Sequence, residues 1–281
     1  MKDFLKQNGI EHFAVVPLEK CKILKEYLLT KNGFDKNANV ITMLIPYRTE
    51  KKPVNLSVYA SVKDYHGFVT ALSDKLDRYA KEKYPQGRLK LFSDHSPIDE
   101  VHACCISGLG FIGDNGLLIS EKYSSFVFLA ECITDLSIQE LGLNYASDNG
   151  VKECLHCGAC ANACPSGCIK RAGGVDDFDK KAVCLSAITQ KKGELTEDEI
   201  KMLIDNDTVW GCDICQNVCP YTKQAGYSNI EYFKDDVITT LNEDVLSQMD
   251  EEKFMSRPFS WRGRGVIERN LKNCKERGKE W

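Results

Sequence analysis

Fourteen cysteines are spread unevenly through these 281 residues, and their spacing constrains the fold more than anything else in the chain. Nine of them, Cys154, Cys157, Cys160, Cys164, Cys168, Cys184, Cys212, Cys215 and Cys219, fall within 66 consecutive positions, whereas the first hundred residues hold only Cys21. Cys154, Cys157, Cys160 and Cys164 are spaced C-x2-C-x2-C-x3-C and followed by Pro165, the bacterial ferredoxin arrangement for 4Fe-4S clusters. In that arrangement three close thiolates wrap three irons of one cubane, and the fourth cysteine, held off by three residues and a proline turn, reaches a neighbouring cluster. A second segment, Cys212, Cys215 and Cys219 before Pro220, is one cysteine short of the pattern, and Cys184 is available to complete it. The spacing therefore assigns Cys154, Cys157, Cys160 and Cys219 to one cluster and Cys164, Cys184, Cys212 and Cys215 to the other. Structural zinc would need only paired C-x2-C knuckles, leaving the third cysteine and the C-x3-C-P ending without a purpose. Cys168, Cys21, Cys104, Cys105, Cys132 and Cys274 exceed the ligand count and read as small buried residues.

Composition excludes several classes. With 43% apolar and 28% charged residues the chain is globular rather than disordered, and its net charge of −4 makes it as a whole no trap for nucleic acid or an anionic membrane. Neither a spanning apolar run nor a signal-peptide pattern at the N-terminus is present, so the expected location is the cytoplasm. The stretch 251–281 carries nine Lys/Arg against five Asp/Glu, a local net of +4 that is read first as a solvated surface.

The first half alternates helical and strand patterns. Leu18, Cys21, Leu24 and Leu28 recur at helical spacing before Gly33; Val40 to Ile45 is a continuous β-branched and apolar run closed by Pro46, hence a buried strand. Phe68, Leu72, Leu76 and Tyr79 mark one face of a long helix. Short strands are expected at 89–92, 117–119 and 126–129, and a helix from Pro97 to Ile106 with Ser96 as its N-cap. From Asp135 the pattern turns irregular toward Gly150. In the second half, Asp176 or Asp177 is placed to cap a helix carrying Cys184, and Thr196 with Glu199 forms a capping box for another running through Ile204. Low apolar content here implies that metal ligation, rather than a large core, supplies much of the order.

Gly108, Gly110 and Gly113 make a formal G-x-G-x-x-G with Asp135 downstream. A dinucleotide fingerprint must follow a strand and open a helix, whereas this one follows a helix and precedes a strand. The glycines are better read as admitting a bulky planar cofactor against the backbone or as turning tightly between elements.

The stretches YASVKDYH (59–66), FSDHSPIDEVHACCISGLGFIGDNGLLI (92–119), SSFVFLAECITDL (124–136), CLHCGACANACPSGCI (154–169), WGCDICQNVCP (210–220) and SRPFSWRGRGVIERNLKN (256–273) together resemble the epoxyqueuosine reductase family of iron-sulfur and cobalamin enzymes in queuosine biosynthesis. The resemblance implies an α+β chain: a nitroreductase-like α/β cobalamin domain over 1–145, a ferredoxin-like domain with two 4Fe-4S clusters over 146–225, and an extension over 226–281 packing on the others. It implies Asp94 as the proton-donating acid, with Tyr59, Asp64, Tyr65, His66, Ser96, Gly108, Gly110, Gly113 and Asn115 in or near the cobalamin pocket. Because Val69 interrupts the D-x-H-x-x-G pattern begun at Asp64 and His66, the cobalt is expected to lack an axial histidine. An external low-potential electron donor and transfer RNA are the implied partners, with no membrane and no DNA.

Three departures work against transfer RNA. Gly113-Asp114-Asn115 replaces the family's Gly-Lys-Asn, Ser61-Val62-Lys63 replaces arginines, and the chain reaches Trp281 without the helical-repeat domain of longer members. An electron-transfer or cobalamin-handling protein without its own substrate chemistry is the alternative, and flavin in the first half remains open.

Overall fold

The computed structural model describes residues 1–146, 152–169 and 183–281. Its contacts divide into two compact units, the first made of Met1–Pro46, Tyr65–Gly113 and Leu117–Cys154, the second of Tyr47–Asp64, Asp114–Gly116 and Leu155–Trp281. This differs from a linear cut at residue 145, because two short segments leave the first half of the sequence to build the second unit. Helices and sheet together give the expected α+β class.

The first unit is organised by a four-stranded antiparallel sheet in the order β1-β2-β6-β3, with β1 at His12–Pro17, β2 at Asn39–Pro46, β3 at Leu89–Phe92 and β6 at Val127–Thr134. All eight residues of β2 are buried, as its β-branched and apolar run requires, and Pro46 ends it. The long helix α1, Tyr65–Lys83, buries Leu72 and Leu76 of the expected face together with Tyr65 and Val69, while Phe68 and Tyr79 are only half-buried. Helix α2 is Glu100–Ile106. Phe128 of β6 stacks on Tyr65 of α1, while its neighbour Leu129 packs with Cys104 of α2. Consecutive strand residues point to opposite faces, so the two helices cover opposite sides of the sheet. A two-stranded hairpin, β4 Phe111–Ile112 with β5 Leu118–Ile119, follows α2.

Two local expectations are corrected. Leu18 to Leu28 is not one helix: a 3₁₀ turn at Leu18–Lys20 and a helix at Glu26–Lys31 are separated by chain whose amides at Leu24 and Lys25 bond to Pro97 O. Ser96 does not cap α2. Asp99 does, its carboxylate accepting from His102 N at 3.0 Å, so the helix starts later than proline at its first position suggested. The stretch after Asp135 also holds a short capped helix at Ile138–Leu141.

The second unit is assembled from short helices: α3 Ala159–Ala163, α4 Leu185–Thr189, α5 Glu197–Asp205, α6 Ile214–Asn217 and α7 Arg264–Lys275 among them. Cys184 is the N-cap of α4 rather than a residue within it, and Asp176 and Asp177 lie outside the described residues. The capping box of Thr196 and Glu199 forms as expected. The expectation of a small core is overturned. Leu56, Ala60, Leu185, Ile188, Leu203, Trp210, Leu241, Phe254, Phe259 and Ile267 belong to one continuous apolar cluster that draws α4, α5, α7 and the segment 47–64 together. At its centre Trp210 is fully buried, its ring 6.2 Å from Phe259 and its Nε1 donating to Tyr59 Oη at 3.0 Å.

The basic stretch 251–281 spends its cations inside this unit. Arg257 is wholly buried and donates to Asp236 O at 2.8 Å beside the Asp236 carboxylate; Arg264 donates to Leu246 O and Met249 O. Arg277 pairs with Glu197, and Lys275 with Glu243. Among the described residues no helix is long and apolar enough to cross a membrane.

Candidate functional site

Asp94 sits where β3 ends and before α2 begins, in the left-handed region at φ +56°. A non-glycine residue there costs on the order of 1 kcal/mol and persists only where surrounding contacts hold it. Those contacts are present. Asp94 N donates to Glu100 Oε1 at 3.2 Å, the Tyr65 hydroxyl donates to the Asp94 carboxylate, and His66 Nε2 lies 3.2 Å from Asp94 Oδ2. The next residue, His95, faces Lys25 Nζ and Tyr27 Oη, each at 3.2 Å. Burial first, then the bond to Asp94, push the Tyr65 phenol far above its ordinary value, so it stays a donor. Its ring is fixed by stacking on Phe128 at 4.3 Å. The Asp94 side chain itself is 67% exposed, and a strained, held and accessible carboxyl is suited to giving a proton to a bound molecule.

The other pocket residues of the first unit separate into accessible and structural ones. His66 is exposed beside Asp94. Ser96 is buried; its Oγ accepts from Ile98 N and faces Glu131. Gly110 is required by the hairpin, because a Cβ there would lie 2.6 Å from Ile119 O. Gly108 takes φ +73° immediately after α2 with open space around its Cβ position, and Gly113 N donates to Leu117 O.

In the second unit, Tyr59, half-buried, accepts from Trp210 Nε1 and Gln190 Nε2, and burial lifts its phenol to about 12. Asp64 lends its backbone carbonyl to Tyr232 Oη at 2.8 Å and its amide to Ser256 O. Asn115 is buried and its side chain donates to the Cys215 thiol.

None of the fourteen cysteines forms a disulfide. Cys164, Cys184, Cys212 and Cys215 lie within electrostatic reach of one another: Cys212 feels Cys184 and Cys164, and Cys215 feels Cys212 and Cys184. Burial, then these like neighbours, lift Cys212 to about 11 and Cys215 to about 12. Burial acts on Cys164 too, but hydrogen bonds from Ser166, Cys168 and nearby amides outweigh it and hold that thiol below its ordinary value. Four thiols gathered around one another fit a centre in which iron supplies the missing positive charge and keeps the sulfurs deprotonated. Cys168 is buried with its sulfur 3.5 Å from that of Cys164. Cys157 is exposed, while Cys154, Cys160 and Cys219 are half-buried; α3, which carries Cys160, packs on α6, which carries Cys215.

Two residues near Asp94 are absent from any motif reading of the sequence: Glu100 on α2, and Glu131 on β6, which is 1% exposed. A signal existed for the second, since a charged residue interrupts the apolar alternation Val127, Leu129, Ile133 on one face of a strand.

Residues 153–222 match the family model of a 4Fe-4S double cluster binding domain, which encloses all eight assigned cysteines. An α/β unit presenting an acid at a strand end, in one chain with a double-cluster domain, defines an iron-sulfur reductase. An epoxyqueuosine reductase of Lactococcus garvieae is 30% identical over 94% of this chain and 73% of its own length. One of Leadbetterella byssophila is 32% identical over 80% of this chain and 70% of its own. The chain belongs to the epoxyqueuosine reductase family. It spans 66 to 73% of the length of the first relatives it matches. A solved epoxyqueuosine reductase, in complex with an epoxyqueuosine-modified transfer RNA stem loop, shares the fold at a TM-score of 0.72 and 22% identity, over 96% of this chain and 78% of that one. Family membership and the double-cluster match support two 4Fe-4S clusters and a cobalamin as the cofactor set.

Proposed function

We propose that the protein reduces the epoxide of epoxyqueuosine in transfer RNA to an alkene, consuming two electrons and two protons and releasing the oxygen as water, with Asp94 donating a proton to that oxygen. The observation that carries this reading is the Asp94 loop: a strained acid, tethered by Glu100, Tyr65 and His66 yet open to a ligand, in a member of this family. Cobalamin, when bound, supplies a metal centre that passes electrons to the substrate. Tyr59, Asp64, Tyr65, His66, Gly108, Gly110, Gly113 and Asn115 are the residues that family resemblance assigns to cofactor contact. Ser96 supports the loop from within.

The cluster ligands are assigned as Cys154, Cys157, Cys160 and Cys219 for one, and Cys164, Cys184, Cys212 and Cys215 for the other; the mutual proximity of the second set supports its half of the assignment. An external low-potential donor delivers the electrons, and the cytoplasm is the working compartment. Transfer RNA as substrate is supported by the family and by the stem-loop complex of the relative.

The test is anaerobic reconstitution followed by turnover on epoxyqueuosine-containing RNA with a one-electron reductant. The expected result is about eight irons per chain, bound cobalamin, and product that Asp94→Asn abolishes while iron and cobalamin spectra persist. Cobalt that is reduced on demand with no product from any RNA would overturn it in favour of an electron-carrying protein.

A further inference from the structure

The face of β6 that meets α2 is apolar except at Glu131. In the sheet register this residue pairs with Thr42 on β2 and Phe92 on β3, which places its carboxyl in the middle of the layer beneath the helix. Neither carboxyl oxygen has a hydrogen bond of full geometry among the described residues. The groups that face it are Glu100 and Cys104 from α2, Ser96 and Asp94 from the loop, and Cys21 from the segment after β1; Cys132, its neighbour on β6, points to the other face. Glu100 is half-buried, faces Glu131 on one side and Lys25 on another, and gives Oε1 to the amide of Asp94 at 3.2 Å.

A carboxylate at position 131 would be dry and would face two more acids. Burial first, then Glu100, hold the Glu131 carboxyl well above the usual carboxylate range, and burial raises Glu100 in turn. Two carboxyls in such a place titrate as a pair, and the stable state at neutral pH keeps a proton on the more buried one.

Building on the reading of Asp94 as the acid, we propose that Glu131 and Glu100 hold one proton between them and that this proton sets the Asp94 loop. With Glu131 neutral, Glu100 keeps its position as acceptor of the Asp94 N–H and Asp94 stays in its left-handed conformation. Loss of the proton to solvent sets two carboxylates against each other, drives Glu100 away and releases the loop. Both glutamates are positioning residues that act through Asp94.

The experiment is hydrogen exchange of the amides of residues 92–96 in the cluster-loaded full chain, corrected for intrinsic rates, at neutral and alkaline pH. In the wild type these amides are protected at neutral pH and lose about tenfold of that protection at alkaline pH. Glu131→Gln, which cannot ionise, removes the pH dependence. Glu100→Ala exchanges about tenfold faster at both pH values, and Glu100→Gln, which keeps an acceptor oxygen, restores protection. Infrared difference spectra show a protonated carboxyl band at neutral pH that Glu131→Gln removes. In turnover, Glu131→Gln moves the alkaline limb of the pH profile upward by about one unit or more. Wild-type pH dependence in Glu131→Gln, or no protonated carboxyl band, overturns the pair. Absence of turnover on epoxyqueuosine RNA with the exchange and infrared results intact overturns the activity and leaves the pair standing.

Discussion

The two units solve the same problem by opposite means. In the first, a sheet supplies rigidity over long stretches of chain, and the acid comes at a strand end where the backbone is forced into a strained turn. In the second, helices such as α3, α4 and α6 have five residues or fewer, below the length at which a helix stands alone in water. Of these, α4 is held by the apolar cluster around Trp210, while α3 and α6 pack on each other among the cysteines they carry. A scaffold of strands tolerates one polar carboxyl in its interior; a scaffold of short helices leans on its large apolar residues.

The largest effect expected from breaking this contrast is at the acid. Asp94→Asn lowers turnover by on the order of 10²- to 10⁴-fold while iron content and thermal unfolding stay unchanged. Next is the core of the second unit: Trp210→Ala costs about 3–5 kcal/mol, measured by denaturant unfolding, and does so with or without iron, because the cluster of apolar side chains stands on its own. If chelation alone unfolds the second unit as completely as the substitution does, the contrast is lost and metal is its main support. Glu131→Leu acts in the opposite direction, stabilising the first unit by about 1–3 kcal/mol through removal of a dry carboxyl.

The pH dependence follows from the same residue. Its folded-state affinity for a proton exceeds that in the unfolded chain, so wild-type stability is full below the ordinary value of 4.5 and falls as pH rises toward the raised one. Glu131→Gln flattens that slope in thermal scans across the acidic to neutral range. The smallest effect is Thr196→Ala, which removes one half of a capping box on α5 and costs about 1 kcal/mol.

Legibility in the sequence tracks how local each cause is. The double-cluster domain could be read from cysteine spacing because a cubane dictates short intervals between its sulfurs. β2, α1 and the Thr196 cap were legible for the same reason: periodicity and capping act over a few residues. The helix expected from Leu18 failed because the amides of Leu24 and Lys25 bond to the carbonyl of Pro97, far along the chain, rather than to carbonyls one helical turn earlier. Ser96 lost the cap to Asp99 because its hydroxyl is turned inward. Glu131 left a local trace, a charge on an apolar strand face, but its pairing with Glu100 stayed hidden because it depends on α2 lying over β6, a relation that no short interval encodes.

The excursion 47–64 has a consequence for how the protein is made. Its partners are distant: Asn55 exchanges hydrogen bonds with Leu241 at 2.7 and 2.9 Å, and Ser57 N bonds to Trp210 O at 2.9 Å. On the ribosome this segment emerges roughly 180 residues before Leu241 does, an interval of about 10–40 s at ordinary rates of synthesis. Throughout that wait β2 and α1 on either side can fold together, leaving the excursion as an open loop with Leu56 and Ala60 uncovered. The nascent chain thus passes through a stage in which a finished sheet carries a sticky, unfilled bight, and chaperone occupancy during translation should be concentrated there.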